Sequence, residues 1–177
     1  LFKLAVSHSR FFNYLSQPYP IEYFKNRIST RGITETDEGQ FLVCSYSGIF
    51  KLNLQSHETD KFEFPDRAFR NWPESKDDEI IPYQIMKDDS TGDFWIATEG
   101  MGVMHYDRSE ELLTPYFEDQ AGLWEGQKFL YAISMLRAES GRFWVGSYDG
   151  LYHFKNTDSS LTRFQSKKGQ ARFVNNK

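Results

Sequence analysis

The chain has 177 residues, enough for one folded domain with a sizeable core and too few for two full domains with a linker. Aromatic residues make up 17% of it, which is too much ring surface for a chain that stays disordered in water. Lys and Arg number 21 against 25 Asp and Glu, and no basic run exceeds Lys167-Lys168, so bulk binding to nucleic acid is not expected.

Cysteine usage and hydropathy exclude further classes. The single cysteine, Cys44, excludes an internal disulfide and leaves no cysteine cluster for zinc, and we predict no cofactor and no metal. No run of about 18 apolar residues occurs, so no membrane span is predicted in this segment. The chain opens at Leu1 without a signal-peptide pattern, as a processed or excised piece of a longer protein would.

The chain contains an internal repeat. Residues 39–52, 92–106 and 141–154 superpose in residue type as well as in hydrophobicity, and residues 1–4 match residues 49–52 as part of a truncated leading copy. Counted from this shared strand, the copies follow one another in steps of 48, 54 and 48 residues. The recurring structural positions are Gly39, Gly48, Gly92, Trp95, Gly102, Gly141, Trp144 and Gly150.

Each copy predicts strands separated by tight turns. Residues 41–44, 94–97 and 143–145 are apolar runs rich in aromatic and β-branched residues, too short for helices, and we predict strands buried on both faces. A glycine turn precedes and follows each of these strands. A further strand then follows, and an outer strand closes each copy at residues 21–24, 61–64, 113–117 and 161–164.

Four antiparallel strands repeating about every 50 residues are typical of β-propeller blades. We therefore predict an all-β fold, a β-propeller segment of about 3.5 four-stranded antiparallel blades. The single partial domain has blade fragments at residues 1–25, 28–64, 82–117 and 130–165, with a tail or the start of a next blade at 166–177. The alternative is an antiparallel all-β domain whose recurring Gly and Trp residues reflect only turns and cores.

A propeller needs about four to eight blades to close, so this segment is expected to be incomplete on its own. The remaining blades would come from chain outside this sequence or from another copy of the same chain, as in a homodimer.

Two strings of residues resemble a known family. Phe-Trp-Ile-Ala-Thr-x-Gly-x-Gly at 94–102 and Phe-Trp-Val-Gly-Ser-x-x-Gly-Leu-Tyr-x-Phe at 143–154 are similar to the two-component regulator propeller repeat. That family forms propellers in the periplasmic sensor regions of hybrid two-component histidine kinases. The copy at residue 39 departs from it, with Leu42 in place of Trp and Cys44 in place of Gly. The resemblance implies a periplasmic, ligand-sensing segment, with any kinase elsewhere in the parent protein.

Loops on a rigid scaffold commonly carry function, so the long connections between blades are the first candidates for a binding site. The connection at residues 65–82 holds Arg67, Arg70 and Trp72, which could stack on a sugar ring and bind a carboxylate or sulfate. The alternative is that the aromatic residues pin the loop to its blade. In residues 118–130, Trp124 and Lys128 could face the channel. The alternative is that Leu123 and Trp124 form a local plug.

The tight loops between the second and third strands are the other candidates. They present Tyr46, Glu99, Tyr148 and Asp149 at equivalent positions, where they could contact a ligand at the channel mouth. The neighbouring hydroxyl residues Ser45, Thr98 and Ser147 are explained as turn caps.

The sequence shows few signs of catalytic or metal-binding chemistry. His105 and His153 occupy one repeat position on an outer strand, so their spacing reflects the repeat rather than a metal pair. Residues 88–93 resemble a calcium loop superficially, but a hairpin turn explains them better.

Three functions stay open. The first is a non-catalytic, extracytoplasmic sensor segment of a two-component receptor, binding a glycan-related ligand such as an oligosaccharide. The second is a propeller lyase or hydrolase acting on a polysaccharide or cyclic peptide, which needs a His and carboxylates at the channel. The third is a scaffold that binds protein.

Overall fold

The computed structural model consists of strands and turns and describes part of the chain, namely residues 30–37, 39–56, 58–65, 80–116, 131–138, 142–148, 150–155 and 158–164. The strands form three separate four-stranded antiparallel sheets. The predicted all-β architecture of four-stranded units is therefore confirmed for this part of the chain.

Each sheet is built from four strands that are consecutive in the chain. The first sheet contains β1 (Ile33–Asp37), β2 (Gln40–Ser45), β3 (Gly48–Asn53) and β4 (Thr59–Lys61). The second contains β5 (Ile81–Lys87), β6 (Phe94–Glu99), β7 (Gly102–Asp107) and β8 (Leu112–Pro115). The third contains β9 (Ala132–Arg137), β10 (Arg142–Ser147), β11 (Gly150–Lys155) and β12 (Asp158–Phe164).

The turns between strands depend on glycine. Gly39 and Gly48 bracket β2 with φ angles of 74° and 114°, a region that residues with a Cβ rarely adopt. The glycines in the turns around β6 also have positive φ angles. Glycine therefore recurs at the same repeat positions because these turns require that backbone conformation.

The second sheet lies between the other two and is buried on both faces. Phe94 and Ile96 of β6 pack toward the first sheet, whereas Trp95 and Ala97 pack toward the third. Successive side chains of a strand point to opposite faces, so a continuously apolar strand can serve two cores at once. This confirms the prediction for β6.

The same prediction is wrong for one face of β10. Phe143 and Val145 are buried against the second sheet, but Trp144 on the opposite face is only half-buried. None of the described strands packs on that face, where Leu136 and Phe164 are 65% and 53% exposed.

The outer strands β8 and β12 overlap most of their predicted ranges of 113–117 and 161–164, and the predicted strand at 21–24 lies outside the described residues. The outer strand of the first sheet differs more. The strand β4 ends at Lys61, before the predicted range of 61–64 is complete. Phe62 and Phe64 leave the strand and pack edge-on against Tyr106 of the second sheet, with ring centroids 6.0 and 5.1 Å away. The N–H of Phe62 still donates to the carbonyl of Ile49 (2.8 Å), so the rings pack between the sheets while backbone pairing ends one residue after β4.

The first strands of the three sheets contact one another, because β5 touches β1 on one side and β9 on the other. The amide of Gln84 joins β5 to β9 directly: Nε2 donates to the carbonyl of Met135 (3.0 Å), and Oε1 accepts from its N–H (2.7 Å). Lys87 at the end of β5 donates to the carbonyl of Thr36 in the first sheet. The β1, β5 and β9 edges therefore form the inner side of the stack.

His105 and His153 lie on β7 and β11, the third strand of each sheet, and not on an edge strand as predicted. His105 packs against Trp95 with centroids 4.5 Å apart and the rings tilted by 40°. His153 packs against Trp144 in the same way, with centroids 5.2 Å apart and a tilt of 50°. The two tryptophans therefore occupy matching environments within their own sheets.

Cys44 is fully buried between the first and second sheets and is free. Burial raises the pKa of its thiol to about 12, so the thiolate form is disfavoured.

Candidate functional site

One end of the stack gathers the tight loops and the starts of the inner strands. Tyr46 follows β2, Glu99 ends β6 and Tyr148 follows β10, so the three occupy equivalent positions in their sheets. The starts of the neighbouring inner strands contribute further side chains at this end. We call the resulting set the tyrosine cluster: Arg31, Tyr46, Tyr83, Glu99, Tyr131 and Tyr148.

Arg31 links the first sheet to the second. Its guanidinium carbon lies 4.3 Å from the ring centroid of Tyr46 and 3.9 Å from that of Tyr83, so a tyrosine ring packs near the cation on each side. Its Nη1 atom is 3.9 Å from Oε2 of Glu99, beyond hydrogen-bond distance. That nitrogen is buried and has no hydrogen-bond partner among the described residues.

Tyr83 owes its position to an irregularity in β5. The pairing of β5 with β6 shifts between Pro82 and Gln84, which leaves Tyr83 as an extra residue in the strand. Such a bulge redirects a side chain that regular pairing would point elsewhere. The same shift recurs between β9 and β10, so the bulge belongs to the repeat.

The hydroxyl of Tyr83 connects the second sheet to the third. It donates to Oε2 of Glu99 (3.1 Å) and lies 3.3 Å from the hydroxyl of Tyr148. Burial raises the pKa of Tyr83, and its hydrogen bonds to Tyr148 and Glu99 raise it further. The Tyr83 hydroxyl therefore stays protonated and remains a donor at neutral pH.

Tyr131 and Tyr148 form the exposed part of the cluster. Their ring centroids are 5.3 Å apart with an interplanar angle of 56°, and the residues are 38% and 67% exposed. Tyr131 also pairs with Glu99 through an isolated bridge between the second and third sheets. Two tilted rings thus stand open to solvent beside a carboxylate.

Of the sequence-predicted candidates, Tyr46, Glu99 and Tyr148 fall in this cluster. The other predicted binding residues lie outside the described residues: Arg67, Arg70, Trp72, Trp124, Lys128 and Asp149. Gly141 of the structural repeat also lies outside them.

The sequence reasoning missed Arg31, Tyr83 and Tyr131. In the first sheet, Arg31 immediately precedes the inner-strand residue that pairs with Cys44. In the second sheet, Tyr83 immediately precedes the inner-strand residue that pairs with Ala97. Aligning the inner strands by the repeat could have found this shared position.

The hydroxyl residues beside the cluster have the expected turn roles. The hydroxyl of Thr98 donates to the carbonyl of Gly102 (2.9 Å), and that of Ser45 accepts from the N–H of Ser47 (3.1 Å). These side chains stabilise the loops that carry Tyr46 and Glu99.

A second polar group, buried and far from the cluster, joins the second and third sheets. Asp88 is 1% exposed and accepts hydrogen bonds from Nη1 of Arg137 (2.6 Å), the hydroxyl of Ser90 (2.5 Å) and its N–H (2.9 Å). Burial raises the pKa of Asp88, but these hydrogen bonds outweigh it, and the pKa lies below its usual value. Asp88 thus opens a hairpin turn, and its Oδ1 atom accepts three hydrogen bonds from protein donors.

No group of three or more His, Cys, Asp or Glu side chains that could hold a metal ion occurs among the described residues. His105 pairs with Asp93 (3.3 Å) at the opposite end of β6 from Glu99, roughly 20 Å away along an extended strand.

Three stacked four-stranded antiparallel sheets whose first strands meet on one side define a segment of a β-propeller. A scan against models of protein families finds no match, and a search of the curated proteins finds none either. Solved structures do match.

The chain is similar to the extracellular domains of proteins described as hybrid two-component systems from B. thetaiotaomicron. For BT3049 the TM-score is 0.58 at 14% identity, covering 77% of this chain and 18% of that one. For BT4673 the TM-score is 0.55 at 15% identity, covering 76% and 16%. PorZ, a surface component of the type-IX secretion system of Porphyromonas gingivalis, gives 0.52 at 19% identity, covering 72% and 17%.

At these identities the likeness is one of fold, and it agrees with the propeller repeat indicated by the sequence. The chain spans less than a fifth of the length of each of these structures. No helix in the described ranges is long and apolar enough to cross a membrane.

Proposed function

We propose that this chain is an extracytoplasmic, ligand-sensing propeller segment of a two-component receptor and that it binds a glycan-related ligand at the tyrosine cluster. The observation that carries the proposal is the convergence of side chains from all three sheets at one loop end. A ligand bound there would contact several blades at once.

The chemistry of the cluster suits a sugar. The exposed rings of Tyr131 and Tyr148 offer flat apolar surfaces against which the C–H face of a pyranose can pack. Glu99 and the tyrosine hydroxyls offer hydrogen-bond partners for sugar hydroxyl groups beside those rings. A few convergent polar groups next to aromatic surface are typical of small-molecule sites.

We further propose that the segment is not catalytic. The carboxylate of Glu99 is hydrogen-bonded by Tyr83, and none of the described histidines lies at the tyrosine cluster. The pair of His105 and Asp93 lies at the other end of the sheet. The alternative of a lyase or hydrolase would require a His and two carboxylates at the channel mouth, so no observation favours it.

In a signalling receptor, the ligand must bind one arrangement of blades more tightly than another. A ligand at the tyrosine cluster could favour one arrangement of blades because the cluster draws Arg31, Glu99 and Tyr148 from different sheets. Arg31 lies 3.9 Å from Glu99, and Tyr83 links Glu99 to Tyr148. We propose the periplasm as the location, in line with the extracellular neighbours in the structural comparison.

The open face of the third sheet suggests where the propeller continues. Trp144, His153 and Phe164 are already packed against one another there, as Trp95, His105 and Tyr116 are in the covered second sheet. We propose that a further four-stranded sheet of the same polypeptide covers this face. Sedimentation of the 177-residue chain should then give a monomer. A stable dimer that Trp144→Asp dissociates would instead assign the face to a second copy.

Isothermal titration calorimetry of the chain against a panel of oligosaccharides tests the binding proposal. We expect saturable heat with at least one oligosaccharide, abolished by Tyr148→Ala and retained by Leu54→Ala, which truncates an exposed side chain in the turn after β3. Absence of heat with every oligosaccharide, or heat unaffected by Tyr148→Ala, would contradict a glycan site at this cluster.

A further inference from the structure

We infer that the tyrosine cluster selects uncharged sugars over uronates and sulfated sugars, an inference that rests on the proposed glycan binding. The cluster contains two charged side chains, Arg31 and Glu99, and Glu99 is the more accessible of the two to a ligand.

The cation of the cluster is closed off. Arg31 lies beside the rings of Tyr46 and Tyr83, its side chain is 15% exposed, and its Nη1 atom is buried. A carboxylate or sulfate could not form the paired hydrogen bonds that guanidinium makes through its two Nη atoms, because Nη1 is buried.

The anion of the cluster remains open. The side chain of Glu99 is 27% exposed, nearly twice the fraction of Arg31. Its polar contacts are made through Oε2, which accepts from Tyr83 (3.1 Å) and lies 3.9 Å from Nη1 of Arg31. The described residues give Oε1 no hydrogen-bond partner. An ionised carboxylate only accepts hydrogen bonds, so the ligand beside it has to supply donors.

Sugar hydroxyl groups are such donors, whereas a uronate carboxylate or a sulfate group is itself an acceptor with negative charge. Like charges a few ångströms apart repel each other, most strongly where water is partly excluded. The exposed tyrosine rings at 5.3 Å from each other add contact area without charge. The part of the cluster that faces a ligand is therefore aromatic and negative.

The test compares neutral oligosaccharides with uronates of the same length and linkage, for example β-1,4-mannotetraose with β-1,4-tetramannuronate, by calorimetry with the 177-residue chain. We expect the neutral member to bind at least about tenfold more tightly at low salt, with the ratio narrowing as salt rises. Glu99→Gln should reduce the ratio severalfold, because it removes the charge and keeps an acceptor for Tyr83.

Glu63→Gln is the matched control, since it changes the net charge equally at a carboxylate whose side chain is 74% exposed and that pairs with Lys61. A uronate that binds as tightly as its neutral counterpart, or a ratio that Glu99→Gln leaves unchanged, overturns the inference but not the proposed function. Failure of both members of every pair to bind overturns both.

Discussion

The guanidinium carbon of Arg31 lies 3.9 Å from the centroid of the Tyr83 ring. The arginine that precedes β1 of the first sheet therefore packs on an aromatic ring of the second sheet. The contact joins the inner strands of the two sheets at the position where the pairing of each inner strand with its neighbour is irregular. It holds the base of the tyrosine cluster together, beside the longer ion pair of 3.9 Å between Arg31 and Glu99.

Replacing Arg31 should therefore destabilise the fold. We expect Arg31→Met to lower the free energy of unfolding by about 1–2 kcal/mol, the range of a partly desolvated cation–π contact, as measured by urea denaturation. Arg31→Lys keeps the charge but not the planar group and should lose about half as much. Equal unfolding midpoints for Arg31→Met and the unmodified chain would show that the contact contributes nothing.

The Asp88–Arg137 pair predicts a dependence of stability on pH. Because the pKa of Asp88 is lower in the folded chain than its usual value of 3.8, its contribution is present in full above that value. The contribution is lost as pH falls below 3.8 through the folded pKa. Asp88→Ala should cost about 2 kcal/mol at pH 7, and the difference from the unmodified chain should shrink toward pH 3.

Urea denaturation at several pH values measures this difference. The neighbouring Asp89 is exposed, and Asp89→Ala should leave the stability close to that of the unmodified chain throughout. A difference between Asp88→Ala and the unmodified chain that stays constant from pH 7 to 3 would argue against ionisation of Asp88 as its source.

Gln84 should contribute to the contact between the second and third sheets. Gln84→Leu removes both hydrogen bonds to the backbone of Met135 and leaves its N–H and carbonyl without these partners, which should cost about 2 kcal/mol. Gln55→Leu, at an exposed turn position, serves as the control. Thermal unfolding of both variants measures the cost, and an equal melting temperature for the two would refute it.

Replacing each of the two repeat tryptophans should lower the free energy of unfolding by a different amount. Trp95→Ala should lower the unfolding free energy by about 3–5 kcal/mol because Trp95 is buried between two sheets. Trp144→Ala should cost about 1 kcal/mol because none of the described strands covers its face. Trp95→Phe should cost less than Trp95→Ala, since the indole nitrogen has no hydrogen-bond partner among the described residues. Similar costs for both alanine variants would indicate that another sheet covers Trp144 in solution.

Much of the local structure could be read from the sequence. The apolar runs and the glycines around them predicted the strands β2, β6 and β10 and the turns that separate them. Strand and turn preferences depend on residue types a few positions apart, so a repeat makes them visible. Placement of Tyr46, Glu99 and Tyr148 at equivalent loop positions follows from the same spacing.

The tertiary structure alone decided which side chains meet. Tyr83 reaches Glu99 and Tyr148 because a bulge shifts the pairing of β5 and because the second and third sheets pack against each other. The bulge recurs in the repeat, but the contacts that it allows depend on packing between sheets formed by residues far apart in the chain. For the same reason the sequence predicted two buried faces for β10, whereas none of the described strands packs on the Trp144 face.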